Sequence, residues 1–174
     1  MIRIPERYKD AKFQDVPVAI REKFVQIKSS KKGIFIHGSV GVGKTHAMFA
    51  LKKQYDTENP YRMAIFWNTG ELLQSSRADM DRNGYDKVRA MESLMETEGL
   101  IFLDDIGAES PSGWVLEQLY TLINSRYMSM KPMILSSNLS IEKIAEVLGD
   151  RIASRIVEMC DVVELTGEDK RLKS

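Results

Sequence analysis

Residues 38 to 45 read G-S-V-G-V-G-K-T, a spacing that satisfies the phosphate-loop (P-loop) pattern at every fixed position. Gly38, Gly41 and Gly43 allow backbone angles closed to other residues. The N–H groups of the run, including those of Ser39, Val40 and Val42, can therefore turn inward as an anion nest at a helix N-terminus. Lys44 adds a point charge suited to the β and γ phosphates of ATP, and the hydroxyl of Thr45 is a magnesium ligand. His46 follows in the helix, where its backbone N–H aids the same site. Two histidines nine residues apart, His37 and His46, make a poor metal site, and His37 reads as strand-end packing.

Asp104 follows the apolar run Leu100 to Leu103, which places it at the carboxyl end of a buried strand, where the phosphate loop also emerges. That position suits a carboxylate that holds Mg2+. Asp105 comes next and is the candidate to orient a water for attack on the γ-phosphate. An aspartate is a methylene shorter than the glutamate common at this position, so slow or partner-stimulated turnover is expected. Capping of the following turn is the alternative role for Asp105, and Glu109 reads mainly as a surface residue. Asn138 closes the run S-S-N. Its amide falls beside these carboxylates if the two strands are neighbours, and a turn or helix cap is its alternative role.

These residues need elements to carry them. The segment 1–17, with Pro5 and Pro17, reads as an irregular lead-in, and a single domain spans 18–174. Apolar runs at Gly33 to His37, Met63 to Asn68, Leu100 to Leu103, Met133 to Ser137 and Asp161 to Leu165 predict strands. Helical spacing fills 18–28, Lys44 to Tyr55, a stretch from Thr69 with its cap in Thr69 to Leu73, 85–98 after a break at Asn83-Gly84, 112–127, and 141–148. Gly149 separates the last from a further helix, Arg151 to Val157. Strands alternating with helices predict an α/β fold with a mostly parallel sheet and polar residues gathered at its carboxyl ends. Trp67, Trp114, Met128, Met130 and Met133 read mostly as core.

At 174 residues the chain suits one substantial core, and 25 basic against 25 acidic residues exclude a strongly basic nucleic-acid protein. Cys160 is the sole cysteine, which excludes an internal disulfide and a cysteine-built zinc site. The first ten residues lack a signal-peptide core, and no apolar run approaches the ~20 residues of a membrane span. A cytoplasmic protein without a membrane partner is expected.

In combination, G-S-V-G-V-G-K-T, L-I-F-L-D-D-I-G-A-E (100–109), S-S-N-L (136–139) and L-G-D-R-I-A-S-R-I (148–156) stand in the order of one family. The chain resembles the AAA+ ATPase domain of DnaC/DnaI-type replicative helicase loaders and is similar to the IstB transposition ATPases. The likeness runs from I-P-E-R-Y-K-D-A-K-F (4–13) to G-E-D-K-R (167–171). It implies a three-layer αβα P-loop sandwich of AAA+ type, with ATP bound between subunits of a homo-oligomer and the 4–13 segment close to the adenine. It also implies an arginine that reaches the nucleotide of the adjacent subunit, for which Arg155 fits best and Arg151, one helical turn earlier, is the reserve.

The implied partners are a replicative helicase or a transposase, and single-stranded DNA through the insertion after the second strand. In residues 69–98, however, four basic residues (Arg77, Arg82, Lys87, Arg89) face seven acidic ones, a net −3 that does not favour a groove for nucleic acid. Against the family pattern, the helicase-gripping N-terminal region and a sizeable C-terminal lid are expected to be missing, with Lys170 and Arg171 in an exposed tail. Three functions follow from this reading. The first is an ATP-hydrolysing protein that loads or remodels a partner on DNA. The others are a nucleotide-gated adaptor with little hydrolysis and a small-molecule P-loop kinase, for which no arginine-bearing lid is visible.

Overall fold

The structure is a computed structural model, and its description covers residues 4–81 and 90–169. The break at Asn83-Gly84, the opening of the helix expected over 85–98, and Arg82, Lys87, Arg89, Lys170 and Arg171 lie outside the described residues.

Alternation along the strands decides the layers. In β1 (Gly33–His37), Ile34 and Ile36 join one buried cluster and Phe35 the other. β3 (Ile101–Asp104) and β4 (Met133–Ser137) divide likewise, with Phe102 and Ile134 on the first side and Ile101, Leu103, Met133 and Leu135 on the second. A sheet apolar on both faces must be covered on both. The first face is covered by α1 (Val18–Ser30) through Ile20, Phe24 and Ile27, and by α2 (Lys44–Glu58) through Ala47, Met48 and Leu51. The second face carries α3 (Thr69–Asp81), α4 (Ala90–Glu96), α5 (Gly113–Met128), α6 (Ile141–Leu148) and α7 (Asp150–Met159). The outcome is the three-layer αβα sandwich.

All strand pairs are parallel, in the order β2-β3-β4-β1-β5, with β2 at Ile65–Asn68 and β5 at Cys160–Glu164. β4 therefore stands between β1 and β3, and Asn138 follows directly after it. β2 starts two residues later than the apolar run suggests, because the Ala64 amide donates to the Asp56 carboxylate at 2.7 Å instead of entering the sheet. At the start of α3, Asn68 is the cap. Its Oδ1 accepts from the amides of Gly70 (3.0 Å) and Glu71 (3.3 Å), while the Thr69 hydroxyl donates to the Asp104 carbonyl at 2.8 Å. Ser112 and Ser140 cap α5 and α6, and Gly149 lies between α6 and α7 as its position implies.

The lead-in packs onto α2 through two short 3-10 turns, Glu6–Tyr8 and Phe13–Asp15, burying Ala11 and Val16. Tyr8, Phe49, Phe66 and Phe102 form a run of stacked rings from the lead-in to the sheet. Near the other end of the strands, the fully buried Arg126 donates to the carbonyls of Leu94 (3.3 Å), Thr97 (2.7 Å), Gly99 (3.0 Å) and Pro132 (2.9 Å). Met133 is buried and Trp67 packs against the core. Met128 and Met130 are exposed instead, because α5 ends at Met128 and Met130 sits in the left-handed turn that leads to β4.

Candidate functional site

β1 ends at His37, and the chain turns through Gly38, Gly41 and Gly43 at φ of +149°, +82° and +105° before α2 begins at Lys44. These angles are strained for any residue with a Cβ, so the glycines set the loop's shape. Val42 anchors the loop in the core, while Val40 stays exposed on the cavity side. The Lys44 ammonium is buried. It donates to the carbonyls of Gly38 (2.7 Å) and Ser39 (2.8 Å) and to Asn138 Oδ1 (2.7 Å), as a buried charge requires. His46 lies in the first turn of α2 and lines the same cavity.

Asp104 closes β3. Its Oδ2 accepts the Thr45 hydroxyl at 2.9 Å, and its Oδ1 accepts the hydroxyl of Ser136. Burial pushes the Asp104 carboxyl above its ordinary value, and the adjacent Asp105 adds to this. The Ser136 and Thr45 hydrogen bonds and the Lys44 charge pull the other way. Asp105 adopts a left-handed backbone at φ +62°, with its amide on Ser136 Oγ at 3.0 Å. Its Oδ1 accepts from Asn138 Nδ2 at 2.7 Å. The Asn138 amide thus joins Lys44 on one side to Asp105 on the other, because β4 lies between the strands that deliver them. Glu109 is less open than a surface reading implies. Its Oε2 accepts the Gly107 amide at 3.2 Å, and burial raises its carboxyl.

Gly41, Lys44, Thr45, Asp104, Asp105 and Asn138 wall a cavity of about 330 Å3, a volume within the range of small-molecule sites. Arg7 and Tyr8 of the lead-in complete the wall. Their side chains carry no local motif, and only the resemblance over 4–13 placed that segment near a ligand. Ser136 has no assigned role in the sequence reading, although it stands two residues before Asn138 and beside the end of β3. Among the described residues no group of three or more His, Cys, Asp or Glu side chains could hold a metal. The paired oxygens of Thr45 and Asp104 instead fit a hard cation that takes few protein ligands and completes its shell with phosphate and water.

The two candidate arginines sit elsewhere, on α7. Arg155 donates from Nε to Asn124 Oδ1 at 3.2 Å, lies over the Tyr127 ring at 4.5 Å and has Glu158 at 3.8 Å. Arg151 is exposed, lies over Tyr120 at 4.2 Å and donates to its hydroxyl at 2.8 Å. Neither lines the phosphate-loop cavity of its own chain. In the insertion, Arg77 lies over the Trp114 ring at 4.6 Å.

Residues 21–174 match the family model described as IstB-like ATP binding protein. The chain is 30% identical over 169 residues to the phage-like element PBSX protein XkdC of Bacillus subtilis, covering 88% of this chain and 61% of that protein. It is 27% identical over 153 residues to the replicative helicase loader DnaI of the same organism, covering 80% of this chain and 48% of that protein. The chain thus spans about half to three fifths of the length of these curated relatives. Among solved structures, the DnaC helicase loader superposes with a TM-score of 0.81 at 24% identity, over 93% of this chain and 100% of that one. At that identity the likeness concerns the fold.

Proposed function

This chain belongs to the family of IstB-like ATP-binding proteins, and we propose that it binds Mg·ATP at residues 38–45 and hydrolyses it to load or remodel a partner on DNA. One observation carries this reading. The Thr45 hydroxyl meets the Asp104 carboxylate at 2.9 Å beside a buried Lys44, so a cation-binding oxygen pair and a phosphate-binding ammonium share one wall.

In this reading the loop amides and Lys44 take the phosphates, and Thr45 and Asp104 hold magnesium. The metal, when bound, withdraws charge from the phosphoryl oxygens. Ser136 keeps the Asp104 carboxylate aimed by its own hydrogen bond. Asp105 and Asn138 position the attacking water, and Arg155, or Arg151 in its place, faces the nucleotide of a neighbouring copy in a homo-oligomer. The relative named as a replicative helicase loader supports a replicative helicase as partner, with a transposase as the alternative. Single-stranded DNA is a further ligand of the assembled form. The protein is read as cytoplasmic, and no helix of the described residues is long and apolar enough to cross a membrane.

A second reading, a nucleotide-gated adaptor with little hydrolysis, draws on Asp105. Its carboxylate is a methylene shorter than a glutamate and already accepts from Asn138 at 2.7 Å, which leaves it a shorter reach toward a water. Equilibrium binding of Mg·ATP and steady-state hydrolysis, with and without single-stranded DNA, separate the two. Tight binding with turnover that DNA or a partner stimulates supports the ATPase. Tight binding with no turnover in any combination supports the adaptor. No retention of Mg·ATP at millimolar concentration defeats both.

A further inference from the structure

The chain beyond β5 does not leave the sheet at once but crosses the phosphate loop. The Leu165 amide donates to the His37 carbonyl at 2.7 Å, extending the β5–β1 pairing by one step. The Leu165 carbonyl then lies so close to Gly38 that a Cβ there would stand 2.1 Å from its oxygen. Thr166, Gly167 and Glu168 are exposed, and the chain returns with Asp169 half-buried. The Asp169 carboxylate rests on Gly41, where a Cβ would lie 1.9 Å from Oδ1 and 2.5 Å from Oδ2. Gly41 is part of the cavity wall. A carboxylate from the segment that follows the neighbouring edge strand is therefore seated against the loop whose chemistry selects anions.

Electrostatics give this contact a consequence. Asp104 and Asp105 already place two carboxylates on the cavity wall, against Lys44 and Arg7. A polyphosphate held by the loop would add several negative charges to the segment against which Asp169 is packed. Like charges brought together on one loop repel, the more so where water is partly excluded. Gly41 is required at this position on two counts, its φ of +82° and the carboxylate packed over its Cα.

We propose that Asp169 is an affinity-setting residue of the nucleotide site, whose carboxylate competes with the phosphates of a nucleoside di- or triphosphate for the loop and speeds their release. The inference rests on the nucleotide-binding reading above. It assigns to the segment after β5 a part in governing how long nucleotide stays.

The test is direct binding of a fluorescent nucleoside diphosphate, with its dissociation followed by stopped flow, so that no turnover is needed. Asp169→Asn, which keeps the size and removes the charge, is expected to tighten the Kd about tenfold and slow dissociation by a similar factor. Asp169→Ala should do the same. Glu164→Gln removes one charge from an exposed position on β5 and should shift the Kd by less than about twofold, since exposed charges are screened by water and salt. Circular dichroism melts confirm that each variant is folded. A Kd for Asp169→Asn equal to or weaker than that of the parent overturns the proposal, as does equal tightening by Glu164→Gln. Absence of binding by the parent and by every variant would remove the nucleotide reading itself, and this proposal with it.

Discussion

Lys44 and Asn138 are ninety-four residues apart, yet the ammonium donates to the amide oxygen at 2.7 Å while the nitrogen of the same amide donates to Asp105 at 2.7 Å. One neutral side chain thereby bridges a cation and an anion on the cavity wall. On the proposed role of Asp105 and Asn138 in positioning water, the amide also links that role to the lysine of the loop.

Asn138→Ala should therefore affect turnover more than binding. The expected outcome is a fall in kcat of about a hundredfold, typical of losing one preorganised polar contact at a reacting centre. The Kd for Mg·ATP should stay within about threefold, because most phosphate contacts come from the loop. Parallel steady-state hydrolysis and equilibrium binding measure the split.

Asp104 exerts opposite effects on stability and on metal binding. Its carboxyl is raised above the ordinary value of 3.8 by burial, so the folded chain holds this proton more tightly than the unfolded chain. The stability it supplies is complete below 3.8 and is lost as pH rises through the raised folded value. At pH 7, without nucleotide, Asp104→Asn should melt higher, by up to about 4 °C, the shift that ~1 kcal/mol gives in a chain of this size. The difference should shrink as pH falls toward that ordinary value, and magnesium-dependent nucleotide binding should be lost. A variant that melts no higher at pH 7 would contradict the account of burial.

Arg126 tests the core apart from the site. Its guanidinium satisfies four carbonyls at the ends of α4, β3 and β4 and is fully buried, and its pKa is lowered by burial to about 10. Arg126→Met should destabilise by 3 kcal/mol or more, since several buried carbonyls lose their donor together. Arg126→Lys should not restore stability, because an ammonium lacks the planar fork. Urea denaturation measures both, and nucleotide affinity of the folded fraction should be unchanged.

Arg155 is held by Asn124, Tyr127 and Glu158 on a face away from its own cavity, so any action on nucleotide must be on a neighbouring copy. Arg155→Ala should lower turnover by about a thousandfold at unchanged Mg·ATP affinity, the scale expected of an arginine that neutralises phosphoryl charge. Mixing Arg155→Ala with Lys44→Ala chains should recover part of the activity at mixed interfaces. A flat response at every mixing ratio would place Arg155 outside the mechanism, and Arg151→Ala then becomes the next variant to test.

Much of the site was legible because its information is local. The phosphate loop occupies eight consecutive residues whose glycines, lysine and threonine each answer to a stated backbone or charge requirement. Strands β1, β3 and β4 were legible for a similar reason, since an apolar run bounded by polar residues marks a strand buried on both faces. The cap of α3 lies one residue before the Thr69 to Leu73 opening in which the sequence places it, because Asn68 ends a strand and caps a helix at once. Met128 and Met130, read mostly as core, are exposed because they stand at and beyond the end of α5, where the chain turns toward β4 and apolar type alone does not fix burial.

By itself, then, the sequence determined the loop, the alternation of strands and helices, and the two adjacent aspartates at a strand's end. Tertiary structure alone decided that β4 lies between β1 and β3, which puts Asn138 on Lys44 and Ser136 on Asp104. It also decided that the segment after β5 lays Asp169 over Gly41 and that Arg126 gathers four distant carbonyls. Strand order and the path of a connecting segment depend on contacts between residues far apart in the chain. No local period or spacing encodes them, so they emerge only when both faces of the sheet are packed.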